Sequence, residues 1–123
     1  MADEHQFSQL LLLLDKLKFE LKKVELWSEK RPTSAALQST QPFCCDTLAL
    51  EQWLQFIFVE RLRALAANEQ PLPKNILVSP MAEESFQCKN QLVIVDVIAD
   101  IDELLSGVKV SRPWQAKLID KEQ

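Results

Sequence analysis

Apolar residues fall at Phe7, Leu10, Leu14, Leu17, Leu21 and Val24, at alternating steps of three and four. That is the spacing of one face of an α-helix, and it predicts an opening helix of about six turns. Leu12, Phe19 and Leu26 recur every seven residues on nearly the opposite face, between Asp15, Lys16, Lys18, Lys22, Lys23 and Glu25. A second apolar stripe needs a cover. Another segment of the same chain, such as its C-terminal tail, would serve, and so would a self-association or partner surface.

Pro32 ends the first pattern, and residues 33–45 mix Ser, Thr, Gln and Pro without periodicity, as a long connection or short irregular helix would. Asp46 is placed to cap the next helix, which runs to about Ala67. Within it Trp53, Leu54, Phe56, Ile57, Phe58 and Val59 leave only Gln55 polar, so this stretch is the expected centre of the core. Residues 68–80 carry Pro71, Pro73 and Pro80 and form a second long connection. A short helix starts after Ser79, with Pro80 in its first turn and Glu83 and Glu84 near its positive end.

The run from Leu92 is rich in β-branched residues, yet Ile94, Val97, Ile98, Ile101, Leu104 and Leu105 keep helical spacing. Gly107 fits the left-handed position that stops a helix. The fold class is therefore all-α: an up-and-down helical bundle of about four helices, three long and one short. Residues 1–106 form the helical domain, and 107–123 read as a C-terminal extension, a mixed-charge tail containing Trp114 that is expected to be partly disordered.

Composition narrows the function classes. The chain has 123 residues, of which 47% are hydrophobic, enough for one core. A net charge of −4 and a pI near 5.0 argue against a broad grip on nucleic acid. The apolar run from Leu10 to Leu14 is far shorter than the ~20 residues of a membrane helix, so no membrane association and a cytoplasmic location are expected. A single glycine excludes Gly-rich phosphate loops. One histidine, His5, leaves little for Ser-His-Asp or Cys-His chemistry.

Asp96, Asp100 and Glu103 share a helical stripe, with Asp102 close to it. They read as a solvated acidic face rather than a metal site, because bundle metal sites draw ligands from several helices. Arg61 and Arg63 follow the apolar centre and could each reach a carboxylate on a neighbouring helix, Arg61 alternatively an external anion. Cys44 and Cys45 precede a helix start, but Asp46 beside them opposes thiolate formation. Ser39, Thr40, Gln41, Asp46 and Thr47 either staple the long loop in one shape or present a polar surface to a ligand. With a continuous helix to Ala67, about 30 Å separates that loop from Gln70, Pro71, Leu72 and Pro73, so the two are not expected to form one pocket within a monomer.

The motifs Ser39-Thr40-Gln41-Pro42-Phe43, Asp46-Thr47, Trp53-Leu54-Gln55, Arg61 and Gln70-Pro71-Leu72-Pro73, in that order, resemble the YqcC-like family of small bacterial proteins. The resemblance spans roughly residues 5–106. It implies an all-helical bundle and a family without an established activity, so no catalytic residue set is carried over. Family members are often encoded beside a tRNA pseudouridine synthase, which implies an accessory role in RNA modification as one alternative. The expectation is a non-enzymatic interaction module with no cofactor and no metal. Its contact residues are Ser39, Thr40, Gln41, Pro42, Phe43, Asp46, Thr47, Trp53, Gln55 and Arg61. Leu12, Phe19 and Leu26 face a second copy, giving a homodimer, or another protein.

Overall fold

Helix α1 spans Glu4–Lys23 and buries Leu10, Leu14, Leu17 and Leu21 completely, the face that the three-and-four spacing predicts. The computed structural model describes residues 4–115, and all regular structure among them is helical. After Lys23 the chain turns back through Glu25 at φ 62°, and the Leu26 N–H donates to the Leu21 carbonyl at 2.8 Å. This is a six-to-one Schellman closure with glutamate in the position glycine usually takes. The left-handed backbone costs on the order of 1 kcal/mol, and the turn directs Leu26 inward onto the core.

Residues 28–33 cross to the second long helical stretch. A short α2 (Ser34–Leu37) begins there, its Ala36 N–H donating to the Thr33 hydroxyl at 3.2 Å, and a 3₁₀ turn (Pro42–Cys44) follows. α3 (Leu50–Trp53) then continues through a π-helical stretch (Leu54–Val59) into α4 (Glu60–Ala67). Asp46 does not cap this helix. The helix starts at Leu50, where Gln52 Oε1 accepts the Ala49 N–H at 2.9 Å, one half of a capping box. α4 closes as α1 does, with Glu69 at φ 51° and the Gln70 N–H donating to the Leu65 carbonyl at 2.8 Å.

α5 (Ser79–Ser85) and α6 (Leu92–Ser106) complete the bundle. α6 packs against α1 and α5, and α1 also meets α4. The expected centre, residues 53–59, is largely interior through Leu54, Gln55, Phe56, Phe58 and Val59, but Trp53 and Ile57 stay partly exposed. The deepest element is α6, where Ile94, Val95, Ile98, Ala99 and Ile101 have no exposed surface. Gly107 stops α6 at φ 75°. Beyond it residues 107–115 fold back over the bundle as a strap, with Trp114 in the core at 3% exposure. The expected extension is thus seated on the bundle as far as residue 115, and residues 116–123 lie outside those described.

Candidate functional site

Trp53, Ile57 and Arg61 follow one another at steps of four along the 50–67 helix and form a ridge with a cavity on each side. One cavity, about 310 Å³, is walled by Phe58, Leu62 and Leu65 of the helix and by Pro71, Leu72, Pro73 and Ile76 of the returning chain. The other, about 520 Å³ and more open, reaches Ser39, Gln41, Phe43, Cys44 and Glu60. The loop and the proline segment line separate cavities and share no single pocket, but the common ridge places both on one surface of the monomer. The turn at Glu69 is the reason: it sends the chain back along the helix, and non-helical, proline-bearing backbone advances up to ~3.1 Å per residue while the helix rises 1.5 Å. Half a dozen residues are enough to bring Ile76 back to the level of Trp53.

The 39–47 loop is stapled from within. The Ser39 hydroxyl donates to Asp46 Oδ1 at 2.5 Å and accepts the Gln41 N–H at 3.1 Å. The Thr47 hydroxyl donates to the Ala36 carbonyl at 2.7 Å. Asp46 thus braces the loop through Ser39, while the helix start at Leu50, with Ala49 at its N-cap, lies three residues beyond its capping reach. Phe43 and Cys44 both lie in the left-handed region, at φ 57° and 51°, a conformation that needs the surrounding staples to persist. The strain seats Phe43 edge-on against Trp53, centroids 4.9 Å apart, and Trp53 lies 5.3 Å from Phe58. Thr40, Gln41 and Pro42 remain exposed at the tip.

Gln55 is not on this surface. Its side chain is buried, with Oε1 accepting the Ser28 N–H at 2.8 Å and Nε2 donating to the Ser28 carbonyl at 2.6 Å. It fastens the α1–α2 connection to the helix. The π stretch around it adds width to the helix at the level of the ridge, and such segments recur at functional places.

Arg61 stands apart from the other arginines. Arg31 pairs with Glu60 at 2.9 Å, Arg63 with Asp15, and Arg112 with Asp96, Asp100 and Glu103 at 2.7–2.9 Å. Arg61 has no carboxylate partner among the described residues. The acidic stripe of α6 is correspondingly not a solvated face: it seats the Arg112 guanidinium, whose side chain is only 13% exposed. Burial alone would lower the Arg112 pKa, but hydrogen bonds to Asp100, Asp96 and Glu103 outweigh it and the value rises. The Val110 N–H, foremost, holds Glu103 below the ordinary carboxylate range against burial, with Arg112 assisting. Asp102 points away from this cluster into the core. A lone arginine in a tail that follows three carboxylates was the only sequence signal for the seat.

On α1, Leu12 and Phe19 are 64% and 62% exposed. Leu26 does not extend their stripe, because the Schellman turn packs it against the core. Lys16, Lys22 and Lys23 are exposed on the same helix. Among the described residues no group of three His, Cys, Asp or Glu is arranged to hold a metal ion, and no helix is long and apolar enough to cross a membrane. Cys44 is buried, and Cys45 and Cys88 are exposed thiols.

Residues 9–104 match a family model described as tRNA pseudouridine synthase C. The chain is 35% identical over 79 residues to an uncharacterized Haemophilus influenzae protein, covering 64% of this chain and 74% of that one. It is 36% identical over 72 residues to the uncharacterized protein YqcC of Escherichia coli, covering 58% and 66%. A tRNA pseudouridine synthase C of Pectobacterium carotovorum is 35% identical over 75 residues, which are 61% of this chain but 19% of that protein. The solution NMR structure of E. coli YqcC superposes with a TM-score of 0.74 at 27% identity, covering 86% of this chain and 93% of that one.

Proposed function

The chain belongs to the YqcC-like family, and from that premise we propose that it is a non-enzymatic protein-interaction module of the cytoplasm. Its contact surface is the ridge of Trp53, Ile57 and Arg61 with the 39–47 loop beside it. The observation that supports the reading is the sharing of that ridge by two cavities of about 310 and 520 Å³, one closed by a strained loop and the other by a proline-bearing return. Rigid walls around half-exposed aromatic and aliphatic side chains are what a hot spot is made of. The polar loop contributes its exposed tip, Thr40 to Pro42, while Ser39, Asp46 and Thr47 hold the tip in shape.

Affinity capture from a native lysate tests the reading. A partner retained by the wild type is lost from Ile57→Glu and reduced by Thr40→Ala, with both variants folded by circular dichroism. Identical capture by wild type and Ile57→Glu would remove this surface from consideration. The self-association half of the reading uses Leu12 and Phe19, two large apolar side chains left uncovered on one face of α1. Light scattering at high concentration should give a dimer for the wild type and a monomer for Leu12→Glu/Phe19→Glu.

A second reading is an accessory factor for tRNA modification. It draws on the region like this chain that makes up a fifth of a protein named tRNA pseudouridine synthase C, most of whose length lies outside the match. In that arrangement the module accompanies such an enzyme and presents it to RNA or to other proteins. The net charge of −4 places RNA contact, if the module makes any, at a local patch such as Lys16, Lys22 and Lys23. Retention of the synthase on the immobilised chain, and tRNA binding that weakens steeply with salt, are its two measurements. Failure of both would leave only the first reading.

A further inference from the structure

We infer that the cavity between the ridge and residues 71–76 takes an extended protein segment carrying an acidic side chain between apolar ones, with Arg61 receiving the carboxylate. The inference rests on the interaction-module reading and adds the chemistry of the partner. Its first support is charge. The cavity is lined by apolar side chains, and Arg61 is its single ionisable group. Three other arginines are neutralised by carboxylates, while Arg61 has none among the described residues. Glu60, at the other cavity, is already paired with Arg31, so the ridge offers one uncompensated planar cation. A guanidinium in that position receives a carboxylate in bidentate fashion better than any neutral group.

The second support is the backbone. Residues 71–76 form no helix and bend at Lys74 and Asn75, and their main chain makes no hydrogen bond among the described residues. Backbone groups without an internal partner on this segment, at exposed Lys74 and Asn75 above all, can be met by the main chain of a segment laid alongside. Pro71 and Pro73 remove two donors and so restrict which edge is used. Apolar side chains of such a segment reach the half-buried Trp53, Leu65 and Ile76. The third support is continuity: the same ridge borders the second cavity, so the surface suits a chain longer than one small molecule. The overall charge of −4 does not forbid an acidic partner, because charges beyond ~10 Å are largely screened at 0.1 M salt.

The test is an NMR titration of the ¹⁵N-labelled full chain with two probes, acetyl-SLELFS-amide and acetyl-SLKLFS-amide. The acidic probe should shift the Trp53 indole, Arg61, Leu72 and Ile76 resonances and bind about fivefold more tightly than the lysine probe. Arg61→Gln should abolish the difference while leaving residual apolar binding. Equal affinity of the two probes for the wild type, or a difference that persists in Arg61→Gln, overturns the inference. So does the absence of any shift in the groove at millimolar probe. Sodium decanoate binding in place of both peptides marks a small-molecule pocket and also overturns it. The Ile57→Glu capture result decides the interaction reading separately, so either can fall alone.

Discussion

The carboxylate of Asp102 on α6 accepts the Val78 N–H through both of its oxygens, at 3.0 and 2.9 Å, and the Ser79 N–H at 2.8 Å. A fully buried acid thereby caps α5 from another helix and fixes where the second long connection ends. Asp102→Ala leaves these amides without acceptors inside the core. It should cost about 2–4 kcal/mol, read by urea denaturation, with Asp102→Asn milder because one oxygen remains.

Glu103, the next residue, responds to pH with the opposite sign. Burial raises the Asp102 pKa above 3.8, opposed by the Ser79 and Val78 amides. Its contribution is fully present below the unfolded value and is lost as pH rises through the folded one. Glu103 is held below 4.5, so its contribution is present above that value and is lost as pH falls through the folded pKa. The stability difference between wild type and Glu103→Gln should shrink on acidification to pH 3, and that between wild type and Asp102→Asn should shift in favour of the wild type.

Arg112 holds the strap that carries Trp114. Arg112→Gln removes the cation from three converging carboxylates, which are themselves partly solvated and can rehydrate. The expected loss is about 2 kcal/mol, together with a red-shifted Trp114 emission in a background with Trp27 and Trp53 replaced by Phe. Emission unchanged by Arg112→Gln would show that the indole is seated by packing alone.

Gln55 and Ser28 exchange two hydrogen bonds across the α1–α2 connection. Gln55→Leu keeps the volume and strands both Ser28 groups, so a loss of about 1–3 kcal/mol is expected. Binding at the ridge should survive in the folded fraction. A variant of normal stability that fails to bind would return Gln55 to the contact surface.

Leu12, Phe19 and Leu26 share a sequence spacing but not an environment. Leu12→Glu and Phe19→Glu should change monomer stability by no more than about 0.5 kcal/mol. Leu26→Glu places a charge against the core and should cost several times that. Thermal unfolding of the three variants at low protein concentration distinguishes them.

The sequence by itself determined the long helices α1 and α6 and their buried faces, because apolar spacing of three and four is a local property that packing had only to accept, whereas the start of the 50–67 helix at Leu50 rather than after Asp46 was not legible. It also located the α5 start to within a residue, after Ser79 with Pro80 in the first turn, the Gly107 stop and the loop carrying Ser39 to Thr47. It did not reveal the turns at Glu25 and Glu69, since glutamate gives no local sign of a left-handed residue. Those turns decide that Leu26 is interior and that Pro71 to Ile76 run back beside Trp53. Nor did it reveal which charges meet. Arg112 finds Asp96, Asp100 and Glu103, and Asp102 finds Val78, only once the bundle has closed. Hydrogen bonds and ion pairs between residues far apart in the chain depend on positions in space, which only the tertiary structure supplies.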